Sequence, residues 1–364
     1  MQRPVRVVDM FAGRGAFLSG EPGSPLIIAG QLSTLSAAGH DVGLLCYESY
    51  KPHFEELSQL LSQYEFANAE NADCFGHVDA LAEIANLNTT LLYVDPCNIA
   101  QLRLSQLSKI YGKIHGGSSV ETVIVFMAGA FMRQALAVLS REGTIAELAM
   151  TDPLISSMPE EEWGEWVAAL HGPDESSEVG RLQKERAQLD DVAGGDYWDR
   201  IARDQSLPFE SKCEQLVDAY LLRLKEWFQV RLKYPIFEDA KGKLPKYWLL
   251  FGSRYRPCID LFNRAACTAR RKQGLAWKSG ETLFADVPID TSADPAQVSS
   301  AVMAVARQVE TVQWRELRWQ LSEAELGRFT DSEINRSIKR LLSKGKIAGP
   351  SGKKVEEEAM ISIV

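Results

Sequence analysis

The chain lacks any CxxC pair: its six cysteines are scattered over 364 residues. That excludes the commonest zinc arrangement and the dense disulfide framework of a small secreted domain, so no metal site is expected. Unpaired thiols fit a reducing cytoplasm. Long hydrophobic runs are also missing. The longest, Val123 to Met132, is too short for a bilayer, which takes about 20 apolar residues, so no membrane is expected. Met1-Gln2-Arg3-Pro4 leads directly into a strand-like run, and no signal peptide is expected. Nor is there a basic excess. A net charge of -9 excludes a surface coated evenly for nucleic acid, so any such contact must be local. The rest, 45% hydrophobic and 24% charged, is ordinary for a globular chain with room for one large domain and a small one.

The most informative stretch is Val7-Val8-Asp9-Met10-Phe11-Ala12-Gly13-Arg14-Gly15. An apolar run ends in an acid, and a short turn follows with glycines at 13 and 15. This reads as a buried strand, Arg6 to Met10, entering a loop and then a helix. Glycine permits positive φ and close approach of a ligand to the main chain. A helix N-terminus beyond it favours a carboxylate or phosphate. Such a junction at the start of an α/β sheet is where a nucleoside-bearing cofactor sits, although a plain β–α turn has the same glycines. Gly23-Ser24-Pro25 opens the helix, with Ser24 as N-cap and Pro25 at its first position. The helix runs from Leu26 to Ala38.

Further strands are expected at Val42–Tyr47, Cys74–Val78, Thr89–Val94 and Val120–Met127, with an amphipathic helix at Phe54–Tyr64. Strands alternating with helices imply right-handed crossovers and a mostly parallel sheet. Polar residues collect at strand ends, the ligand edge of such a sheet. Glu48 follows the second strand and is placed to accept both ribose hydroxyls of a nucleoside; a solvated loop acid is the alternative. Asp79 stands at the tip of the third, suited to an adenine amine or equally to an N-cap. The fourth strand ends in Asp95-Pro96-Cys97-Asn98, where proline stiffens the turn.

These residues carry a resemblance. Asp9 to Gly15 resembles the cofactor motif of class I S-adenosylmethionine-dependent methyltransferases. More narrowly, the chain resembles the three-Cys-motif partner family. The carriers are Phe11 to Gly15, Gly23-Ser24-Pro25-Leu26, Tyr93-Val94-Asp95-Pro96 and Tyr247 to Ser253, within residues 5 to 270. The resemblance implies S-adenosylmethionine as cofactor, bound by Asp9, Phe11, Ala12, Gly13, Gly15, Glu48 and Asp79. It implies Asp95 and Asn98 as catalytic residues, and a three-cysteine partner protein in a bacterial, phage-related setting. One departure is chemical. Adenine amino-methyltransferases carry Pro-Pro-aromatic after the acid or Asn, and the aromatic stacks on the flipped base. Cys97-Asn98 stands there instead. A Cys97 nucleophile, as in cytosine-5 enzymes, lacks its accompanying Glu-Asn-Val motif.

Residues 155 to 200 hold twelve acidic and four basic residues, with several tryptophans. A helical insertion at about 152–206 is expected, as a lid, a partner surface or a solvated decoration. The core then resumes with a helix at Cys213–Leu232. Strands at Tyr234–Glu238 and Lys246–Phe251 follow, joined by the turn signal Ala240-Lys241-Gly242-Lys243. A closing hairpin agrees with the opening motif. The stretch from Arg254 to Lys278 has seven basic residues and one acid, among them Arg270, Arg271 and Lys272, suited to phosphates or to a solvated face.

After a Pro, Asp, Ser and Thr-rich joint, a small unit is expected. Helices at Trp314–Leu321 and from Phe329-Thr330-Asp331, then two short strands around Gly349 to Lys354, resemble a winged helix. Arg336, Lys339 and Arg340 face outward, and Lys353 and Lys354 tip the hairpin, a pattern suited to DNA or RNA. Protein contact or dimerisation is the alternative. The expected fold is α/β: a Rossmann-like class I methyltransferase domain over 1–285, a mostly parallel sheet closed by a hairpin, and a winged-helix-like domain over 286–364. A homo-oligomer stays open. Two functions stand: a nucleic-acid methyltransferase, or an inactive methyltransferase-fold partner that binds nucleic acid or protein.

Overall fold

A computed structural model of the chain describes residues 3–150, 178–238, 243–279, 293–309, 311–349 and 358–363. Lys353, Lys354, most of the turn at 240–243 and the first part of the acidic insertion lie outside them. The chain divides into two compact units, Met1–Ile236 with Lys243–Gly252, and Phe237–Gly242 with Ser253–Val364.

The first unit is a Rossmann-like α/β sandwich. Its elements are β1 (Val5–Asp9), α1 (Ser24–Ala37), β2 (Val42–Tyr47), α2 (Lys51–Leu61), β3 (Ala67–Glu70), α3 (Val78–Leu87), β4 (Thr89–Val94), α4 (Leu104–Lys113), β5 (Val120–Phe126) and α5 (Ala128–Met150). There follow α6 (Glu178–Ala193), α7 (Tyr197–Arg203), α8 (Phe209–Arg223), β6 (Val230–Ile236) and β7 (Tyr247–Ser253). Seven strands form one sheet in the order β3-β2-β1-β4-β5-β7-β6. The pairs β1–β2, β1–β4, β2–β3 and β4–β5 are parallel. β1 is central, and its alternating side chains serve both faces. Val7 joins the core beneath α1 and α2, and Val8 joins the larger core on α3, α4 and α5. The last two strands are neighbours, and Lys246 N donates to Ile236 O at 2.8 Å where their connection begins and ends.

Three expectations need correction. The third strand is Ala67–Glu70, and Cys74–His77 is a 3-10 turn. Asp73 accounts for this: its carboxylate accepts Phe75 N and caps the turn, so the apolar Cys74-Phe75 pair is buried by a helical turn. The helix expected at Cys213–Leu232 ends at Arg223, and the alternating residues from Val230 enter the sheet. The described part of the insertion is neither lid nor solvated decoration. α6 and α7 pack on α5, and they bury Leu182, Leu189, Val192 and Trp198 in the main core. Their charges pair laterally: Arg186 donates to Asp199 at 2.6 Å and to Glu142 at 3.0 Å.

The second unit holds α9 (Cys258–Ser279), α10 (Pro295–Ala306), β8 (Thr311–Gln313), α11 (Trp314–Ala324), α12 (Asp331–Ser343), β9 (Ile347–Ala348) and β10 (Met360–Ile363). β10 lies antiparallel between β8 and β9. α9, which a boundary near 285 assigns to the first domain, belongs to this unit through its polar residues. Asp260 accepts Arg318 through both carboxylate oxygens, at 3.1 and 2.7 Å, and Trp319 Nε1 at 3.0 Å. Buried Asn263 donates to Phe329 O at 2.8 Å and accepts Gly327 N at 2.9 Å. α12 begins with a capping box, Thr330 with Glu333, which fixes its first turn.

Asp260→Ala removes both carboxylate oxygens from a guanidinium whose side chain is 6% exposed. It is expected to lower stability by about 3–5 kcal/mol, whereas Asp260→Leu with Arg318→Met recovers most of the loss. Urea unfolding of both variants checks this.

Candidate functional site

The loop between β1 and α1 is organised by one side chain. Asp9 is fully buried at the end of β1. Its carboxylate accepts Phe11 N at 3.2 Å and the Ser24 hydroxyl at 2.7 Å. Ser24 is thus spent on Asp9, and Gly23 is the N-cap of α1. The loop returns on itself: Gly23 N donates to Gly15 O at 2.8 Å, and a Cβ on Gly23 would stand 2.8 Å from that same oxygen. Gly13 and Gly15 have φ of 61° and 83°. A Cβ on Gly15 would meet Leu57 Cδ1 at 3.0 Å, so this glycine lets the loop close on α2. Arg14 ties the loop to the same helix, through His53 Nε2 at 3.2 Å and Glu56 at 3.7 Å.

Beside this loop lies a cavity of about 340 Å³ at the C-terminal edge of the sheet. Met10, Phe11, Glu48, Asp73, Cys97 and Arg103 are among its lining residues. Of the expected cofactor contacts, Phe11 and Glu48 line it; Asp9 is buried, Ala12 is buried, and neither these nor Gly13 and Gly15 are part of the wall. Glu48 is held by its own turn, its side chain accepting Tyr50 N at 2.6 Å and its backbone oxygen accepting Asn71 Nδ2 at 2.8 Å. Asp79 is not in the cavity. Because the third strand ends earlier, Asp79 falls in the first turn of α3, where its side chain is 87% exposed and paired with Lys113. Asp73 occupies the wall instead, with one oxygen on Phe75 N at 3.0 Å and the other on Arg103 Nη2 at 3.3 Å.

The β4 turn is partly assembled. The Tyr93 hydroxyl donates to Asp95 at 3.0 Å. Cys97 N donates to Gln101 Oε1 at 3.1 Å, linking the turn to the next segment. Asn98 is exposed and stands outside the cavity wall. The Cys97 thiol is pushed up by desolvation and then by the charges of Glu48 and Asp95, so it stays protonated and is a poor nucleophile.

The charges at the strand ends act on one another. Burial raises Asp9 to about 7, opposed by the Ser24 and Phe11 hydrogen bonds and assisted by Asp95 and Glu48. Desolvation also raises Asp95, opposed by Tyr93. The strand ends thus gather carboxylates, with Arg103 paired to Asp73 in the cavity wall.

No family model and no curated protein match this sequence. Solved structures do. The chain is similar to the Methanococcus jannaschii fibrillarin pre-rRNA processing protein, at 11% identity and TM-score 0.32, over 69% of this chain and 67% of that one. It is similar to an rRNA methylase from Streptococcus thermophilus, at 10% identity and TM-score 0.28, over 70% and 90%. A third is Haemonchus contortus phosphoethanolamine N-methyltransferase 2 with phosphomonomethylethanolamine and S-adenosylhomocysteine, at 10% identity and TM-score 0.25, over 70% and 49%. At such identity the chemistry has to be read from the site's own residues.

In the second unit, Arg336, Lys339 and Arg340 are exposed on α12, opposite buried Ile334, Ile338 and Leu341. Arg270 is exposed and Lys272 half-buried. Arg271 is not free for phosphate. It donates to both oxygens of Glu333, at 2.8 and 2.9 Å. No described helix is long and apolar enough to cross a membrane.

Sequence reasoning missed Asp73, Arg103 and Gln101, and gave the N-cap of α1 to Ser24 instead of Gly23. Only the first two had a signal: Asn71-Ala72-Asp73 is an Asx-rich turn after Ala67–Glu70, and Arg103 follows the β4 turn at a helix start.

Asp9 is more basic folded than the 3.8 of its free value, so the folded state binds the extra proton between about pH 4 and 7. Stability is expected to fall as pH rises through that window and to level off above it. Asp9→Asn removes this component, and urea unfolding of both proteins from pH 4 to 8 checks the difference.

Proposed function

We propose that this chain is an S-adenosylmethionine-dependent methyltransferase-like protein whose cofactor lies in the cavity beside β1, β2 and the β4 turn. The observation that carries this is the gathering of carboxylates at one sheet edge: Glu48 and Asp73 line a cavity of about 340 Å³, and Asp9 and Asp95 stand at the strand ends beside it, with Arg103 paired to Asp73. A glycine turn after β1 is common to sites for dinucleotides and for S-adenosylmethionine. A dinucleotide brings an anionic pyrophosphate, which these acids repel. A nucleoside carrying a sulfonium and an ammonium group neutralises them. When bound, this cofactor supplies an electrophilic methyl group.

The chain's own residues take the following parts. Asp9 holds the Phe11 amide and Ser24, and so shapes the loop that faces the methionine end. Glu48 accepts the ribose hydroxyls. Asp73 takes the place at the base end that the sequence assigns to Asp79. Asp95 orients the incoming nucleophile by accepting its N–H, and Asn98 serves only if the β4 turn rearranges. The departure at Cys97-Asn98 and the exposure of Asn98 favour a second reading, a binding protein that keeps the fold without methyl transfer.

The small unit is proposed as a winged helix that binds DNA or RNA through Arg336, Lys339 and Arg340, with Arg270 and Lys272 as further phosphate contacts. The three-Cys-motif partner, a bacterial phage-related setting, a homo-oligomer and a cytoplasmic location are proposals that rest on the sequence resemblance and composition.

Calorimetry should give binding of S-adenosylhomocysteine that Glu48→Ala weakens about 10–100-fold, as loss of a charged hydrogen bond does. Labelled methyl from S-adenosylmethionine should enter DNA or RNA and fail to do so in Asp95→Ala. Binding without transfer selects the second reading, and no binding rejects the first. For the small unit, Arg336→Ala and Lys339→Ala should each weaken nucleic acid similarly across sequences and lower the log–log salt slope by about one.

A further inference from the structure

The helix α1 is uncharged on both of its sides, and one side has nothing against it. Ala29 and Leu32 are buried in the core shared with β1, β2 and α2. The opposite side carries Ile27, Gly30, Gln31, Thr34, Leu35 and, at the C-cap, Ala38, all exposed. These positions recur at three and four residues, so they form one stripe along the helix. No Asp, Glu, Lys or Arg stands between Glu21 and Asp41, in a chain that is 24% charged with a net charge of -9. The outer face of a solvated surface helix is ordinarily charged or polar. We propose that this face is the contact between two copies of the chain, with α1 of one packed antiparallel on α1 of the other about a two-fold axis at Gln31. The inference gives the homo-oligomer a surface and a register, and it does not depend on what the cavity binds.

The occupant is argued from symmetry, packing and charge. A two-fold contact needs a patch that complements itself. Ile27 lies four residues before Gln31 and Leu35 four residues after it, one helical turn each way. An axis at Gln31 therefore sets Ile27 of each copy on Leu35 of the other, and Gln31 on Gln31. Those two apolar side chains are 40% and 39% exposed in the single chain. Gly30 stands beside the axis. Glycine weakens an exposed helix relative to alanine, and a Cβ at this position would meet nothing within 4 Å, so the single chain makes no use of it. A second helix does, because the distance between packed helices is set by the side chains at their contact. Charge selects between a copy and a different protein. A partner chosen to match a net charge of -9 would bring basic groups, and α1 offers them no acid. Two equally acidic copies instead meet without repulsion across a face that has no charge. The 14 residues of α1 span about 21 Å, which makes a small interface and a dissociation constant on the order of 1–100 μM.

The test is analytical ultracentrifugation of the full chain from about 1 to 200 μM, a range that brackets that constant. Wild type should pass from monomer to dimer across it. Ile27→Lys and Leu35→Glu change exposed positions, so each should fold with an unchanged circular dichroism spectrum. Each should weaken the dimer by about tenfold or more, because a charge is then set against an apolar side chain of the other copy. The double variant places each lysine on the other copy's glutamate and should recover most of the loss. Gln31→Cys should cross-link to itself under mild oxidation, with the linked peptide identified by mass spectrometry because Cys97 is also exposed. Ile27→Cys should not, since it stands a turn away from the axis. A chain that stays monomeric throughout overturns the inference and leaves the face to another protein or to a membrane surface. A dimer that neither single variant weakens overturns it too. So does a double variant no better than the single ones together with no cross-link at Gln31→Cys, which rejects the symmetric register.

Discussion

A buried carboxylate without partners costs several kcal/mol, and the first unit is arranged so that Asp9 has two. One is the amide of Phe11, two residues on. The other is the hydroxyl of Ser24, at the start of the next helix. Satisfying Asp9 thus fixes both ends of the β1–α1 connection. Glycine is then required at 15 by its φ of 83° and at 23 because a Cβ there would stand 2.8 Å from the Gly15 carbonyl oxygen. Arg14, projecting from the middle of that turn, reaches α2 and brings His53 to the cavity.

The same carboxylate sets the electrostatics. Glu48 and Asp95 add to the burial that raises Asp9 to about 7, and its two hydrogen-bond donors, Phe11 N and the Ser24 hydroxyl, are neutral. A ligand that supplies positive charge relieves all three groups together. This is the physical ground for preferring a sulfonium nucleoside over an anionic dinucleotide on a sheet edge that suits either. The same acids add to the burial that keeps the Cys97 thiol protonated.

Much of the first unit was legible in the sequence because the decisive strands are short apolar runs with polar ends. Val42–Tyr47 and Thr89–Val94 were readable to the residue. Ala67–Glu70 was not. It is an edge strand of Ala, Asn and Glu with no β-branched residue, so pairing rather than propensity makes it. That one miss put Asp79 at a strand tip, whereas Asp73 is the acid in the cavity wall. The acidic composition of the insertion hid a buried stripe, since Leu182, Leu189 and Val192 are spaced for one helix and Trp198 joins them from the next, while acids and arginines pair around them. Arg103 and Asp73 meet from segments 30 residues apart, and no local pattern announces such a pair. The basic face of α12 was readable from helical spacing, but the loss of Arg271 to Glu333 depends on how α9 and α12 pack.

The central claim is that this sheet edge selects a positively charged nucleoside because buried Asp9, with Glu48 and Asp95 near it, is held by two neutral donors, Phe11 N and the Ser24 hydroxyl. The most direct measurement is calorimetric affinity for S-adenosylmethionine and for NAD, side by side from pH 6 to 8. The cation should bind more tightly as pH rises through about 7, where Asp9 ionises, and NAD should bind weakly throughout. Tight NAD binding, or S-adenosylmethionine affinity that falls as Asp9 ionises, would contradict the account.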